Sequence, residues 1–145
     1  MNIRKITPAD RDLYLQLLWE FYHSEAVLHP VPVEHMERSF AELMRSEEYL
    51  QCYILECNGE TAGYALLAKT WSVEAGGVVI WLEELYLRPA FRGQGVGSAF
   101  LAYMTKEIPA ARYRLEVEPD NHQAKALYRR YGFEVFPYQQ MKCGT

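Results

Sequence analysis

The stretch from Val78 to Ser98 constrains the fold more than any other part of the chain. Apolar, β-branched and aromatic residues run from Val78 to Leu87 and stop at Arg88-Pro89. A glycine-rich turn follows, and an apolar-periodic segment begins at Val96. That is the pattern of a strand, a turn and a helix start in immediate succession. Gly93, Gly95 and Gly97 lack a Cβ, so the backbone is free to turn left-handed, approach a ligand and aim successive N–H groups into one concavity. The helix start adds unpaired N–H groups and partial positive charge, and Arg92 adds a forked cation. These features describe a phosphate or pyrophosphate cradle. An ordinary strand-to-helix turn uses glycine in the same way for geometry alone, so residues 92–97 by themselves leave both readings open.

Residue types separate the phosphate motifs that compete for this turn. A Walker loop needs Gly-Lys-Ser/Thr, and no lysine stands here. The dinucleotide fingerprint fits Gly93 and Gly95 but meets Ser98 where its third glycine belongs. The pattern that remains is R/Q-x-x-G-x-G/A, realised as Arg92-Gly93-Gln94-Gly95-Val96-Gly97.

Composition narrows what surrounds the cradle. The 145 residues are expected to form one domain spanning 1–145, with half of them apolar. No apolar run approaches the length of a bilayer span, and the N-terminus runs into polar Thr7-Pro8-Ala9-Asp10 without a signal-like segment, so the expected location is cytoplasmic. Cys52, Cys57 and Cys143 lack C-x-x-C spacing, and His23, His29 and His35 flank a proline break, so three reduced thiols and no metal site are expected. A net charge of −4 argues against a nucleic-acid partner and suits a cationic small substrate.

In chain order, Met1 to Ile6 reads as a strand, and Thr7-Pro8 with Asp10 opens a helix that ends before His29-Pro30-Val31-Pro32. A second helix follows from Val33. Strands at Tyr49–Cys57 and Glu60–Trp71 flank Asn58-Gly59, the preferred two-residue hairpin turn. Val78–Leu87 is then a central strand carrying Glu83 and Glu84. Strand alternation sends adjacent side chains to opposite faces, so either a cleft opens here or the strand leaves the sheet with both glutamates solvated. A helix from Val96 stops at Ile108-Pro109, a strand covers Arg112–Glu118, and Asn121 caps a last helix ending at Gly132. Phe133–Lys142 reads as one or two final strands. The order βααβββαβαβ is an α/β arrangement with a mixed sheet and about four helices.

The glycine pattern and a second motif together carry a resemblance. Asn121-His122-Gln123-Ala124-Lys125-Ala126-Leu127-Tyr128-Arg129-Arg130-Tyr131-Gly132-Phe133 resembles the N-x-x-A-x-x-L-Y-x-x-x-G-F signature of the GNAT superfamily of N-acetyltransferases, whose acetyl-CoA pyrophosphate loop the Arg92–Gly97 turn also resembles. The paired acids before Leu85-Tyr86-Leu87 are most similar to those of diamine acetyltransferases. The resemblance implies a sheet splayed between the strand of Glu83 and that of Leu115, with acetyl-CoA in the gap. It implies that Arg92, Gly93, Gln94, Gly95, Val96, Gly97 and Ser98 hold the pyrophosphate, that the backbone of Leu85 and Leu87 bonds the pantetheine arm, and that Asn121 is on the cofactor side as well as a helix cap. Tyr128 matches the tyrosine that protonates the leaving thiolate, and Glu83, with Glu84 second, matches the proposed base. The implied activity is transfer of acetyl from acetyl-CoA to a primary amine, with a polyamine or diamine first and a protein lysine, an amino acid or an aminoglycoside as alternatives. A noncatalytic acyl-CoA sensor keeps the same cradle without needing Glu83 or Tyr128. The resemblance also allows a homodimer through the C-terminal strands.

Overall fold

The computed structural model describes residues 1–25, 27 and 29–145. Its strands are β1 (Asn2–Lys5), β2 (Leu50–Cys57), β3 (Glu60–Ser72), β4 (Gly77–Leu87) and β5 (Arg112–Leu115). Its helices are α1 (Arg11–Tyr22), α2 (Val33–Arg45), α3 (Val96–Glu107) and α4 (His122–Arg130). The strands lie in sequence order in one sheet, antiparallel from β1 to β4 and parallel between β4 and β5. Parallel strands need a crossover, and α3 supplies it.

The hairpin forms as its turn residues dictate. Asn58 and Gly59 both adopt left-handed backbone, with φ of 52° and 78°, which matches the twist of the strands they join. At the other end of the chain's first segment, Asp10 closes the start of α1. Its carboxylate accepts hydrogen bonds from the Thr7 N–H (2.8 Å) and hydroxyl (3.1 Å) and from both Arg4 terminal nitrogens (2.7 and 2.9 Å). The bond from Arg4 holds the Asp10 carboxyl down at about 2, against the opposing effect of burial.

Each face of the sheet has its own core. On one face Tyr14 and Leu17 of α1 and Met36 of α2 pack on Cys52, Ile54, Tyr64 and Tyr86 of the sheet. Under α3 lie Tyr53, Leu55, Leu67, Ile80, Leu82, Phe100, Leu101 and Met104, with Leu127, Tyr128 and Phe133 packed against them from α4 and beyond. Burying each large side chain stabilises the fold by about 1.5–3 kcal/mol. Cys52 is buried, Cys57 half-buried and Cys143 exposed, all as free thiols. No helix among the described residues is long and apolar enough to cross a membrane.

Two sequence expectations are corrected. The strand read at Arg112–Glu118 ends at Leu115, because β4 offers no partner beyond Leu82. The final strands read at Phe133–Lys142 are not formed: residues 133–145 pair with no strand. Phe133 folds back onto Tyr128, Phe136 stacks on Arg112 and Arg114, and Pro137 has no N–H to give a ladder.

Candidate active site

Strand β4 is paired on both sides only as far as Leu82. Its register with β5 runs from Val79 opposite Arg112 to Leu82 opposite Leu115 and stops, whereas its register with β3 continues to Leu87 opposite Gly63. From Glu83 onward one side of β4 therefore faces a gap.

The cause is a β-bulge. Leu67 stands opposite Leu82 and Leu66 opposite Glu84, so Glu83 is one residue more than β3 can match. A bulge bends its strand and increases the local twist, which carries the second half of β4 away from β5. It also breaks the alternation that was expected to send Glu83 and Glu84 to opposite faces. Ile80 and Leu82 belong to the α3 core and Leu85 and Leu87 pack against that same core, with both glutamates between them.

The two glutamates meet different surroundings. Glu84 turns under α1, where one carboxylate oxygen accepts from the Tyr64 hydroxyl (2.7 Å) and the other from the Tyr22 hydroxyl. Burial pushes its pKa above the ordinary carboxylate value, and the two phenol hydrogen bonds oppose that rise without cancelling it. Glu83 is exposed at the bulge. Partial desolvation, then the charges of Glu116 and Glu84, push its pKa up as well. Glu116 lies just past the end of β5, so Glu83 and Glu116 meet at the mouth of the gap, with Glu84 turned away under α1.

The end of α1 is tied to this half of β4 at a second point. Arg88 donates to both carboxylate oxygens of Glu20 at 3.0 Å, and the Tyr86 hydroxyl donates to Glu20 at 3.2 Å. Burial acts to raise the Glu20 pKa, but the hydrogen bond from Arg88 outweighs it with help from the other partners, and the net shift is downward.

The backbone in the gap is available for pairing. The Arg88 N–H donates to the Ala62 carbonyl of β3 at 2.8 Å. Successive peptide groups point to opposite sides of a strand, so the polar groups of Leu85 and Leu87 point away from β3. Arg92 Nε donates to the Leu87 carbonyl at 2.9 Å, from the gap side. An extended ligand carrying amides would pair with the remaining groups as an added strand does.

The glycine turn adjoins that edge. Gly93 and Gly95 are left-handed, with φ of 72° and 79°, and a Cβ on either would meet nothing within 4 Å. Backbone conformation, not crowding, demands glycine at both. The first bond of the α3 ladder is from the Ala99 N–H to the Gly95 carbonyl (2.9 Å), so the N–H groups of Val96, Gly97 and Ser98 lie outside it. A Cβ on Gly97 would come within 3.8 Å of Leu85 Cδ2 and 4.0 Å of Leu87 Cδ1, so the first turn of α3 rests on the splayed half of β4. Gln94 Nε2 donates to the Ala90 carbonyl at 3.0 Å and braces the turn. Donor cradle and gap are thus contiguous, and the residues fit a ligand with an anionic end and an extended amide arm.

Tyr128 stands on α4, half-buried and edge-on to Phe133 with ring centroids 6.1 Å apart. Burial pushes its phenol pKa up, and its hydroxyl bonds to no other described residue. The Asn121 side chain accepts from the Ala124 N–H at 3.1 Å and caps α4. Three residues of this region went unread in the sequence: Tyr22, Tyr64 and Glu116. The alternation Arg112, Arg114, Glu116 was a usable signal for the last. The tyrosines gave none, since their partner lies far away along the chain.

Residues 12–133 match the model of the acetyltransferase (GNAT) family. An uncharacterized protein of Mycobacterium leprae is 30% identical over 133 residues, which cover 91% of this chain and 34% of that protein. Thialysine N-epsilon-acetyltransferase of Sus scrofa is 26% identical over 144 residues, covering 90% of this chain and 82% of the relative. The fold is shared with the structure of AAC(6')-Iy in complex with the bisubstrate analogue CoA-S-monomethyl-acetylneamine, at a TM-score of 0.74, 17% identity and 98% coverage of each chain. The chain spans about a third of the Mycobacterium leprae protein and 60% of an uncharacterized N-acetyltransferase of Methanocaldococcus jannaschii.

Proposed function

Because the chain belongs to the acetyltransferase (GNAT) family, we propose that it transfers the acetyl group of acetyl-CoA directly to a primary amine on a small cationic molecule. The observation that carries this reading is the bulge at Glu83, which opens the gap beside the glycine turn and sets Glu83 near Glu116 at its mouth. Thialysine acetylation in one relative and an acetylneamine conjugate in one structural neighbour are each consistent with an amine acceptor.

Bound acetyl-CoA supplies the thioester; the chain supplies position and proton traffic. The N–H groups of Val96, Gly97 and Ser98, with Arg92, hold the pyrophosphate. Leu85 and Leu87 hold the pantetheine arm, and an N–H near Leu85 polarises the thioester carbonyl. The amine arrives as an ammonium with a pKa of about 10.4, so it has to lose a proton before it attacks. Glu83 receives that proton, directly or through a water, and its raised pKa makes it a better base than an ordinary carboxylate. The N–C bond forms, the C–S bond breaks, Tyr128 gives its phenol proton to the departing thiolate, and the second proton shed by the nitrogen restores the phenol. Glu84 has both oxygens engaged by tyrosines, which suits it to hold the strand and leaves the proton to Glu83.

The test is free-thiol release from acetyl-CoA against polyamines, amino acids, aminoglycosides and a lysine peptide. Turnover with a cationic amine supports the reading. Acetyl-CoA binding without thiol release from any amine overturns it in favour of a sensor.

A further inference from the structure

Strand β5 sends its side chains to two faces. Tyr113 and Leu115 pack against the α3 core, so Arg112 and Arg114 fall on the other, and Glu116 follows just past the end of the strand. Arg112 is spoken for, with Nη2 at 3.0 Å from the Glu74 carboxylate. Arg114 is not: it makes no ion pair or hydrogen bond with any described residue. Its guanidinium lies instead 4.2 Å from the centroid of the Trp81 ring and 4.7 Å from that of Phe136. Trp81 is itself fixed by a bond from its indole N–H to the Thr70 hydroxyl at 3.2 Å. Ring contacts of this kind hold the guanidinium in place without using its N–H groups. A half-buried cation has given up part of its hydration, and a fork with unspent donors fits a carboxylate.

Its place along the strand says what that carboxylate belongs to. Arg114 lies opposite Trp81 and Leu115 opposite Leu82, so the next residues on the two strands are Glu116 and the bulged Glu83. Two residues of strand separate Arg114 from Glu116 by roughly 6.6 Å. The outer edge of β5 has no strand partner among the described residues, and one cavity of about 700 Å³ there is lined by Arg114, Glu116 and Tyr128 but by no residue of β4, so Glu116 is the carboxylate that links it to Glu83. A molecule with its amine among the carboxylates and a short carbon chain extending along β5 brings its far end to Arg114. A plain polyamine would set a second cation against that guanidinium.

Resting on the transferase reading above, we propose that Arg114, held by Trp81 and Phe136, binds the carboxylate of the acceptor, and that the acceptor is a diamino acid presenting its side-chain amine to Glu83. Such a molecule still carries net positive charge, which suits Glu83 and Glu116. Its α-amine sits too close to the carboxylate to reach the glutamates while the carboxylate occupies Arg114, so the distal amine is the one acetylated.

Lysine and cadaverine test the assignment, since they differ only in the carboxylate. The kcat/KM of the unaltered chain is expected to be about tenfold or more higher on lysine, the size of one charge-assisted pair. Arg114→Met should lose about tenfold more on lysine than on cadaverine, mainly through KM, and Arg114→Lys should recover part of the difference. Equal losses on the two acceptors, or a preference for cadaverine in the unaltered chain, overturn the subsite while leaving the transferase standing. If no amine is turned over, the transferase reading fails, and titration of each acceptor into the CoA-saturated chain decides the subsite alone. Lysine-selective binding lost in Arg114→Met supports it, and equal or absent binding of both overturns it.

Discussion

The two halves of β4 belong to one continuous strand and behave differently. From Val79 to Leu82 the strand has a partner on each side; from Glu83 to Leu87 it has β3 alone. In the first half every backbone group can be spent within the sheet, and the side chains are core residues such as Val79, at 2% exposure, and Ile80, at 1%. In the second half, polar ties from α1 to Glu84 and Arg88 hold the strand, and the side of β4 turned from β3 has no strand partner among the described residues. The comparison teaches that the free edge is not a frayed end. A strand that merely left the sheet would not be held by Tyr22, Tyr64 and Glu20 from the opposite face.

The contrast can be broken most strongly in the paired half. Ile80→Ala should cost about 2–5 kcal/mol by deleting a buried side chain and leaving a cavity, read as a lower urea midpoint with an unchanged slope. Acetyl transfer per folded molecule should stay near that of the unaltered chain.

In the splayed half the effect should move from stability to chemistry. Glu83→Gln should lower kcat/KM by about 100-fold while shifting the unfolding midpoint little, since Glu83 is exposed. Its pKa lies above the ordinary 4.5, and a base works once deprotonated. The rate of the unaltered chain should therefore rise with pH through that elevated value, and the rise should vanish in the variant. A variant that retains the acid limb would transfer the role of base elsewhere.

A third test concerns the ties. Arg88→Met leaves Glu20 half-buried without its cation, and a loss of about 2–3 kcal/mol is expected, with a raised KM for acetyl-CoA as β4 loses its hold on α1. A stability loss with unaltered KM would show that the tie serves the fold alone.

The smallest effect has the most informative sign. Glu84 has a folded-state pKa above its unfolded one, so between the two values the folded chain binds the extra proton. Stability is full below the unfolded value and falls as pH rises through the folded one. Glu84→Gln removes that slope. It should match the unaltered chain at acid pH and exceed it at neutral pH by about 1 kcal/mol or less, because an amide is neutral and still bonds two phenols. Thermal unfolding at pH 4 and pH 8 measures both.

Much of this was legible from residues that act locally. Asn58-Gly59 specified a hairpin because few residues tolerate two left-handed positions, and Gly93 and Gly95 marked a left-handed turn for the same reason while leaving its use open. The bulge was not legible, since it exists only relative to Leu66 and Leu67 on another strand. Without it Glu83 and Glu84 read as a simple alternating pair. Phe133–Lys142 misled in the opposite direction: its apolar content suited a strand, but Phe136 is committed to Arg112 and Arg114. Glu116 was placed inside a strand that ends one residue earlier, because the departure of β4 truncates its neighbour.

The bulge also acts as a parity switch. Even-numbered residues of β4 face the α3 core up to Leu82 and odd-numbered ones from Leu85. Replacing either glutamate preserves that count. Deleting one leaves a single residue between Leu82 and Leu85, so plain alternation keeps Leu85 and Leu87 on the α3 face and in register with β3, and the bulge disappears together with the bend that opens the gap. At this position a change of length spares the core and strikes the site, so a single-residue deletion should leave a folded chain whose β4 has lost its free edge.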